Sequence, residues 1–353
     1  MTEREHRDDA ERSRRRAPGA RRRLVERDLD MLASLSAGRY LTVQALEWLH
    51  FPGWRERYRA YLEVRATQPD LVFRPAPHVY HRLGALREAA PPLVYRLNRS
   101  AEQGRLVYQP LPDAYALSAA GAELLSDRRA IELDTLRWED PRRRSAKNLE
   151  HSTQIGTAYA ALRAALEHTG HTLAGWRDDH QLASRDPERG GQGYDRVLVA
   201  GVREALPVLP DATFTLPDGR RCFLEIDRGS TNLRSWAEKI RAYEAYRGGQ
   251  ALRDRYGVAD FTVLVLCPGE NRLRRIAEEL VKITRHPPER YLFALAERVH
   301  PTTIRSGWRQ VAGVTWTRRQ VVDRMVEVPE ALRWQTLALW KNPTQHPAEQ
   351  PAE

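Results

Sequence analysis

Three acidic residues stand at the ends of two strand-like segments in the stretch PDATFTLPDGRRCFLEIDRG, residues 210–229. Asp211 opens the first segment, and Glu225 and Asp227 close the second. Side chains alternate along a strand, so Glu225 and Asp227 share a face, and an antiparallel neighbour beginning at Asp211 adds a third carboxylate. A hard divalent cation such as Mg²⁺ relieves the repulsion within such a group and activates a bound water. The spacing predicts metal-assisted phosphodiester cleavage, with an ordinary hairpin as the alternative.

The helix predicted after these strands carries a lysine close to the acidic group. Lys239 is one of four lysines in a chain whose positive charge is mostly arginine. It lies at the edge of an apolar stripe formed by Leu233, Trp236, Ile240 and Tyr243. From that edge a long side chain reaches the strand ends, where it would orient water or stabilise phosphorane charge; the alternative is a solvated helix residue. Arg228 is a weaker candidate because arginine is a poor proton shuttle.

Composition favours a nucleic-acid partner. The formal net charge is +10 over 353 residues, and the pI is near 9.8. Since no amphipathic or apolar anchor accompanies this charge, double-stranded DNA is a better match than a membrane; arginine-rich composition without a binding role is the alternative. A chain of this length exceeds one ordinary core, so two or three domains are expected.

The apolar segments predict a cytoplasmic protein with buried cysteines. No run approaches the roughly 18 apolar residues of a membrane span, and the N-terminus lacks the apolar core of a signal peptide. Cys222 and Cys267 each stand in an apolar run and are expected to be buried strand residues rather than a disulfide or a metal pair.

Residues 1–23 have almost no apolar side chains and contain two arginine triplets. They are predicted to be a disordered basic tail, which either contacts a phosphate backbone or is simply solvated.

Residues 24–128 are predicted to form a winged helix-turn-helix domain. Apolar periodicity indicates helices at about 24–38, 42–50, 54–66 and 77–89, with Thr42 capping the second. Two alternating segments, PLVYRLN and GRLVYQPL, follow as a hairpin, and Ser118 is expected to cap a last helix. In this fold the third helix of the motif enters the major groove and the wing contacts backbone or minor groove.

Four residues are candidates for DNA contact. His81, Arg82 and Arg87 lie off the buried face of the helix predicted at 77–89, and Arg99 lies in the polar loop of the hairpin. The motif HVYH, which ends at His81, invites comparison with the His-hydrophobic-His metal site of relaxases. Its spacing does not suit two histidines alternating on a strand, and the segment favours a helix.

The rest of the chain is predicted to be a mixed α/β (α+β) arrangement. Residues 129–147 are a charged linker, and residues 148–300 give the order α, β, β, β, α, β, followed by a further helix and strand. Glu150 near the start of the long helix either adds an acid to the site or complements the helix dipole. Residues 301–353 are expected to be a C-terminal extension, partly disordered, with its tryptophans in the core or an interface.

Pro210 and Asp211, followed by Glu225 and the αβββαβ order, resemble the PD-(D/E)xK superfamily of restriction-endonuclease-like proteins. The resemblance implies that Asp211 and Glu225 bind Mg²⁺ and that a lysine two residues after the glutamate helps to activate water. Here Asp227 occupies the lysine position. Either Asp227 is an extra ligand and the cationic role lies elsewhere, or the fold is retained without efficient cutting.

The whole pattern is similar to a narrower group. A winged-helix segment, a helix opening LEHSTQI, then PDATFTL, EIDRGS and KIRAY resemble the replication-relaxation family of plasmid and mobile-element proteins. The resemblance implies a DNA-binding protein of plasmid replication or mobilisation, with two hypotheses for its second domain: a Mg²⁺-dependent nickase that relaxes supercoils, or a degenerate scaffold in a replication or transcription regulator. Partners left open are a second copy of the chain and plasmid replication or conjugation proteins.

Overall fold

The computed structural model describes residues 24–97, 113–141, 145–184, 194–284, 289–321 and 324–340. This part of the chain is a mixed α/β structure with three sheets, as the sequence indicates at the level of class. The predicted basic tail, the loop that contains Arg99, and residues 341–353 lie outside the described residues. None of the described helices is long and apolar enough to cross a membrane.

The N-terminal module is built from helices around a small antiparallel sheet. Its elements are α1 (Glu26–Gly38), β1 (Tyr40–Thr42), α2 (Val43–His50), α3 (Trp54–Arg65), α4 (Pro77–Arg87), β2 (Val94–Leu97), β3 (Ala114–Leu117) and α5 (Ala119–Arg129). The strand order is β1-β3-β2, so β3 is central and pairs antiparallel with both neighbours.

Local sequence signals account for the helix boundaries of this module. The Thr42 hydroxyl accepts a hydrogen bond from the Ala45 backbone N–H at 3.0 Å, and the Ser118 hydroxyl accepts one from the Gly121 N–H at 3.0 Å. Both caps were predicted, and each satisfies a backbone donor that the first helical turn leaves unpaired. The apolar stripe of α4 is buried as predicted, through Val79, Leu83 and Leu86.

Two details of the module differ from the sequence-based expectation. The first helix, predicted from residue 24, begins at Glu26, so Val25 is its N-cap and is exposed. The strand that pairs with β2 is β3, a stretch expected only to lead into the last helix. All four β3 residues are buried, so this central strand lacks the alternation that marks a half-exposed strand. The segment GRLVYQPL lies outside the described residues.

A seven-stranded mixed sheet dominates the rest of the chain. Its strands are β4 (Ala174–Asp178), β7 (Ala212–Thr215), β8 (Arg221–Ile226), β9 (Thr262–Cys267), β10 (Tyr291–Leu295), β11 (Trp308–Val321) and β12 (Arg324–Leu337). Their order across the sheet is β12-β11-β10-β9-β8-β7-β4. The pairs β8/β9 and β9/β10 are parallel, and the other neighbours are antiparallel. The remaining elements are α6 (Ala146–His168), α7 (Asp179–Ala183), α8 (Leu233–Tyr246), α9 (Gln250–Tyr256), α10 (Glu270–Thr284) and the small sheet of β5 (Asp195–Val197) and β6 (Leu206–Val208).

Alternation along the strands divides the sheet between two hydrophobic cores. Leu224 and Ile226 join a cluster that continues through α6 into the N-terminal module. Phe223 joins the opposite cluster, which is closed by α8 and α10. Glu225 follows the same alternation as Phe223 and therefore points toward α8. Cys222 and Cys267 are buried strand residues, as predicted.

Several elements were not expected from the sequence. The strands β11 and β12 form a long antiparallel hairpin, which extends the main sheet at β10. Trp308 and Trp340 are buried in the core, in agreement with the prediction for the terminal tryptophans. The small sheet of β5 and β6 and the short helix α9 were also missed, because three- and seven-residue elements carry too little periodicity to recognise.

Candidate functional site

Asp211 and Glu225 lie beside each other at the end of two paired strands. Ala212 is paired with Leu224, so the next pair along the ladder brings Asp211 opposite Glu225. The Asp211 backbone N–H donates to the Leu224 carbonyl at 2.9 Å. In return the Ile226 backbone N–H donates to Asp211 Oδ2 at 2.6 Å, which fixes the carboxylate against the end of β8.

The long helix α6 contributes a histidine to this point. His151 Nε2 lies 3.0 Å from Asp211 Oδ1. Burial lowers the pKa of His151, but the hydrogen bond and charge of Asp211 outweigh that effect and raise the pKa above its usual 6.5. Burial raises the pKa of Asp211, but His151, Lys239 and the Ile226 N–H together lower it. The contact favours an ionised carboxylate beside a protonated imidazole.

Glu225 is held from the other side by α8. Its side chain is only 2 % exposed, and Lys239 Nζ donates to Glu225 Oε2 at 2.5 Å. The Tyr243 hydroxyl donates to Glu225 Oε1. Burial raises the pKa of Glu225 to about 7, against the opposing effect of Lys239 and with a further increase from Asp211. Burial lowers the pKa of Lys239, but Glu225 and Asp211 raise it overall, so Lys239 stays cationic between two carboxyl groups.

Asp227 is engaged in a separate set of contacts. Arg272 of α10 donates through Nε to Asp227 Oδ2 at 2.7 Å and through Nη2 to Oδ1 at 2.9 Å. The Trp236 indole donates to Oδ1 at 3.0 Å, and the Gly229 N–H donates to Oδ2 at 3.0 Å. With a side chain 0 % exposed, Asp227 has the environment of a buried structural ion pair.

The family model that matches this chain is described as replication-relaxation, and it spans residues 32–262. The chain belongs to the replication-relaxation family. Neither the curated proteins nor the solved structures contain a match to it. Membership connects the chain with replication of plasmids and other mobile elements, as the sequence resemblance implied.

The family match includes every residue of the candidate site except Arg272. It begins within α1 and continues through α9, and it therefore contains His151, Asp211, Glu225 and Lys239. It ends at the first residue of β9, before Arg272 and before the β11–β12 hairpin. The acid pair and its cation thus belong to the part of the chain that defines the replication-relaxation family, whereas the partner of Asp227 lies beyond it.

The candidate DNA-contacting residues occupy different environments on α4. Arg82 pairs with the buried Asp28 of α1, so its guanidinium fastens α4 to the module. His81 lines an open cavity of about 620 Å³ with Arg57, Arg74 and Tyr80. Arg87 is exposed and lies 3.3 Å from Glu88. The fourth candidate, Arg99, lies outside the described residues.

Asp211 and Glu225 are the residues at this point that could hold Mg²⁺. Magnesium in proteins typically takes one or two carboxylates and completes its shell with waters and substrate phosphate oxygens. Asp211 and Glu225 supply two such carboxylates, while Asp227 is committed to Arg272. Within the described ranges no group of three or more His, Cys, Asp or Glu side chains is arranged to hold a metal ion. Asp211 and Glu225 are the two carboxyl groups that lie together at this point, whereas Asp227 is paired with Arg272.

Sequence reasoning missed part of this site. The sequence analysis singled out Glu150, yet it is the next residue, His151, that contacts Asp211, while Glu150 pairs with Arg228. Helical spacing alone could not show whether Glu150 or His151 faces the sheet, because the sequence does not specify which strand α6 packs against. Tyr243 was placed correctly in the buried stripe, but its hydroxyl contact with Glu225 depends on the depth at which α8 packs.

Proposed function

We propose that this replication-relaxation protein binds double-stranded DNA through its N-terminal module and cleaves one strand at the Asp211–Glu225 site with Mg²⁺. The observation that carries the proposal is the convergence of Asp211, Glu225 and Lys239 at one end of the sheet. Nicking a single strand is sufficient to relax a supercoiled plasmid.

The order of elements in the N-terminal module supports a winged helix. Apart from the inserted α3, the chain runs helix, strand, helix, helix and then a two-stranded hairpin, and the first strand joins the hairpin through β3. In such a fold α4 is the helix for the major groove, and β2 and β3 are strands of the wing. The net charge of +10 supplies the attraction to phosphate that DNA binding requires.

The main sheet supports a nuclease-like core. Along the chain, helix α6 is followed by β4, β7, β8, α8 and β9. The four strands are neighbours in the main sheet in the same order, and only β7 is antiparallel to the others. This order supports the αβββαβ core that the resemblance to PD-(D/E)xK proteins implies, with the small sheet of β5 and β6 inserted before β7. The acid pair stands where β7 begins and β8 ends.

The side chains around the acid pair suit phosphodiester chemistry. A bound Mg²⁺ would polarise the phosphate and favour ionisation of a water. Lys239 is 35 % exposed, so its ammonium can contact both Glu225 and a ligand arriving from solvent. There it would orient the attacking water or offset charge on the phosphorane. Tyr243 and Ile226 hold the two carboxylates at fixed positions.

The test is conversion of supercoiled plasmid to the open circle by purified protein in Mg²⁺ or in EDTA. Asp211→Ala and Glu225→Ala are expected to abolish metal-dependent nicking while leaving plasmid binding intact. Asp218→Asn is the matched control, because Asp218 lies in the turn at the opposite end of the same hairpin, where it pairs with Arg220. Nicking that persists in both alanine variants would exclude this site.

A second candidate function is a non-catalytic DNA-binding regulator with a degenerate nuclease fold. The observation that favours it is Asp227, which replaces the lysine of the PD-(D/E)xK pattern and is held in structural contacts. Calorimetry separates the two candidates: a scaffold binds no Mg²⁺ in a manner that depends on Asp211 and Glu225. Absence of nicking by wild-type protein together with absence of Mg²⁺ binding would favour the scaffold.

A further inference from the structure

Arg39 joins α1 to β1 in an unusual conformation. Its backbone has φ 64° and ψ −59°, a region that favours glycine and strains other residues. Its side chain is only 7 % exposed. Such a conformation persists when the surrounding structure imposes it, and the contacts of the Arg39 guanidinium are part of that structure.

The guanidinium of Arg39 reaches out of the N-terminal module to the elements that carry the candidate site. Arg39 Nη2 donates to the Ser152 hydroxyl on α6. Arg39 Nη1 lies 3.4 Å from Asp179 Oδ1 and 3.8 Å from Asp178 Oδ2, at the junction of β4 and α7. One side chain therefore bridges α6 and the edge of the main sheet.

Both contacts of Arg39 lead to Asp211 in a single further step. Ser152 follows His151, whose imidazole bonds the Asp211 carboxylate at 3.0 Å. The Asp179 backbone N–H donates to the Asp211 carbonyl at 2.7 Å. We propose that Arg39 is a positioning residue, through which the N-terminal module fixes His151 and Asp211 relative to each other. Its catalytic consequence rests on the proposed nuclease function.

The backbone on either side of Arg39 is docked closely on α6, which makes the link rigid. A Cβ at Gly156 would lie 2.0 Å from the Tyr40 carbonyl oxygen and 2.9 Å from that of Gly38. Glycine at position 156 is what allows the α1–β1 junction to approach the helix so closely. The α1–β1 junction and α6 are therefore in direct backbone contact at this point.

Loss of Arg39 leaves Asp178 paired and Asp179 in contact with solvent. Asp178 keeps an ion pair with Arg137 at 2.8 Å, and Asp179 is partly exposed to solvent. Arg39→Gly also removes the backbone strain, since glycine adopts positive φ freely. The variant is therefore expected to fold, and it isolates the positioning contact from general stability.

The experiment compares wild type with Arg39→Gly, Arg39→Lys and Ser152→Ala by two measurements. The first is the proton signal of His151 Nε2–H in NMR spectra, assigned by its loss in His151→Gln; the hydrogen bond to Asp211 shifts it downfield. The second is single-turnover nicking of supercoiled plasmid, with its dependence on DNA concentration. Arg234→Gln, an exposed site on α8, is the control.

We expect Arg39→Gly to lose or broaden the His151 signal and to lower the maximal nicking rate at least about tenfold, with half-saturation by DNA unchanged. Ser152→Ala should give a smaller effect, and Arg39→Lys should restore part of the loss. An unchanged His151 signal in folded Arg39→Gly would overturn the proposal. If wild-type protein does not nick DNA, the nuclease proposal fails, whereas the NMR comparison still decides the role of Arg39.

Discussion

Lys239 Nζ donates a hydrogen bond to Glu225 Oε2 at 2.5 Å, from α8 to the end of β8. The two residues are 14 positions apart in sequence. PD-(D/E)xK proteins carry their lysine two residues after the glutamate, where this chain has Asp227. The positive charge beside the acid pair therefore comes from the following helix. In the proposed nuclease site, Asp227 at the lysine position would therefore change the source of this charge and not remove it.

Lys239→Met is expected to lower the nicking rate by about 100- to 1000-fold, because it removes the only lysine that contacts Glu225 among the described residues. Binding to plasmid should change little, since the proposal assigns DNA affinity to the N-terminal module. Single-turnover nicking at saturating protein measures the effect. Glu238→Gln, the exposed neighbour on the same helix, is the control and should match wild type. Equal rates for Lys239→Met and wild type would contradict the assigned role.

Asp227→Ala is expected to destabilise the fold by about 3 kcal/mol, because it leaves the Arg272 guanidinium and the Trp236 indole without their buried acceptor. Urea denaturation measures this loss. Arg274→Gln, on the exposed side of the same helix, should change stability by less than about 0.5 kcal/mol. A fully stable Asp227→Ala protein with impaired Mg²⁺ binding would instead identify Asp227 as a metal ligand.

Mg²⁺ affinity is expected to rise with pH through neutrality. Burial raises the pKa of Glu225 to about 7, and the metal binds only the ionised carboxylate. A carboxyl of that pKa is about one-tenth ionised at pH 6 and about nine-tenths ionised at pH 8, so the affinity should increase about tenfold between these values. Calorimetry at pH 6, 7 and 8 tests this, with proton uptake by the buffer as an independent readout. A pH-independent affinity would show that Glu225 is not a ligand.

The buried histidine His300 is expected to make the fold sensitive to acid. It packs against Trp48, Trp54 and Tyr58, and burial, with a smaller effect of Arg55, lowers its pKa to about 4. In the unfolded chain His300 has its ordinary pKa near 6.5, so the unfolded chain binds more protons than the folded one between pH 6.5 and 4. The free energy of unfolding is therefore at its full value above pH 6.5 and falls by about 3 kcal/mol as the pH drops to 4.

His300→Phe keeps an aromatic ring in this cluster and removes the titration. Its free energy of unfolding should fall less than that of wild type between pH 6.5 and 4. Urea denaturation at several pH values provides the comparison, and identical acid dependence in the two proteins would show that His300 does not titrate in this way.

Gly156→Ala is expected to destabilise the protein by about 1–3 kcal/mol or more, because the added methyl meets the Tyr40 carbonyl, and backbone cannot move aside as a side chain can. Gly84→Ala is the matched control: Gly84 also lies within a helix, but a Cβ there meets no atom within 4 Å. The control should be stabilised by up to about 1 kcal/mol through helix propensity. Thermal unfolding of both variants tests the close approach of β1 to α6, and equal stabilities would contradict it.

Particular residues show how far sequence predicts this structure. Caps at Thr42 and Ser118, and the apolar stripes of α4 and α8, were recognised because they are local patterns with fixed periods. The pairing of Asp211 with Glu225 followed from a recognisable turn between two alternating strands. Each of these features depends on residues that are close together in the sequence.

The unpredicted features depend on distant parts of the chain. Asp227 was grouped with the acid pair because it shares a strand face with Glu225, yet its partner Arg272 lies 45 residues away on α10. His151 reaches Asp211 across 60 residues, and Arg39 reaches Ser152 across 113. No periodicity specifies such contacts, because they arise only when helices pack on the sheet in one register. The central strand β3 was missed for the related reason that a fully buried strand loses its alternation.

The most direct test of the central claim is the rate at which wild type and Asp211→Asn convert supercoiled plasmid to the open circle, at saturating protein in Mg²⁺, with Asp218→Asn as the control. Asparagine preserves the size of the side chain and removes the charge that pairs with His151 and that would hold Mg²⁺ in the proposed site. The account predicts metal-dependent nicking by wild type and Asp218→Asn, and a rate at least about 100-fold lower for Asp211→Asn. Equal rates for wild type and Asp211→Asn would contradict it.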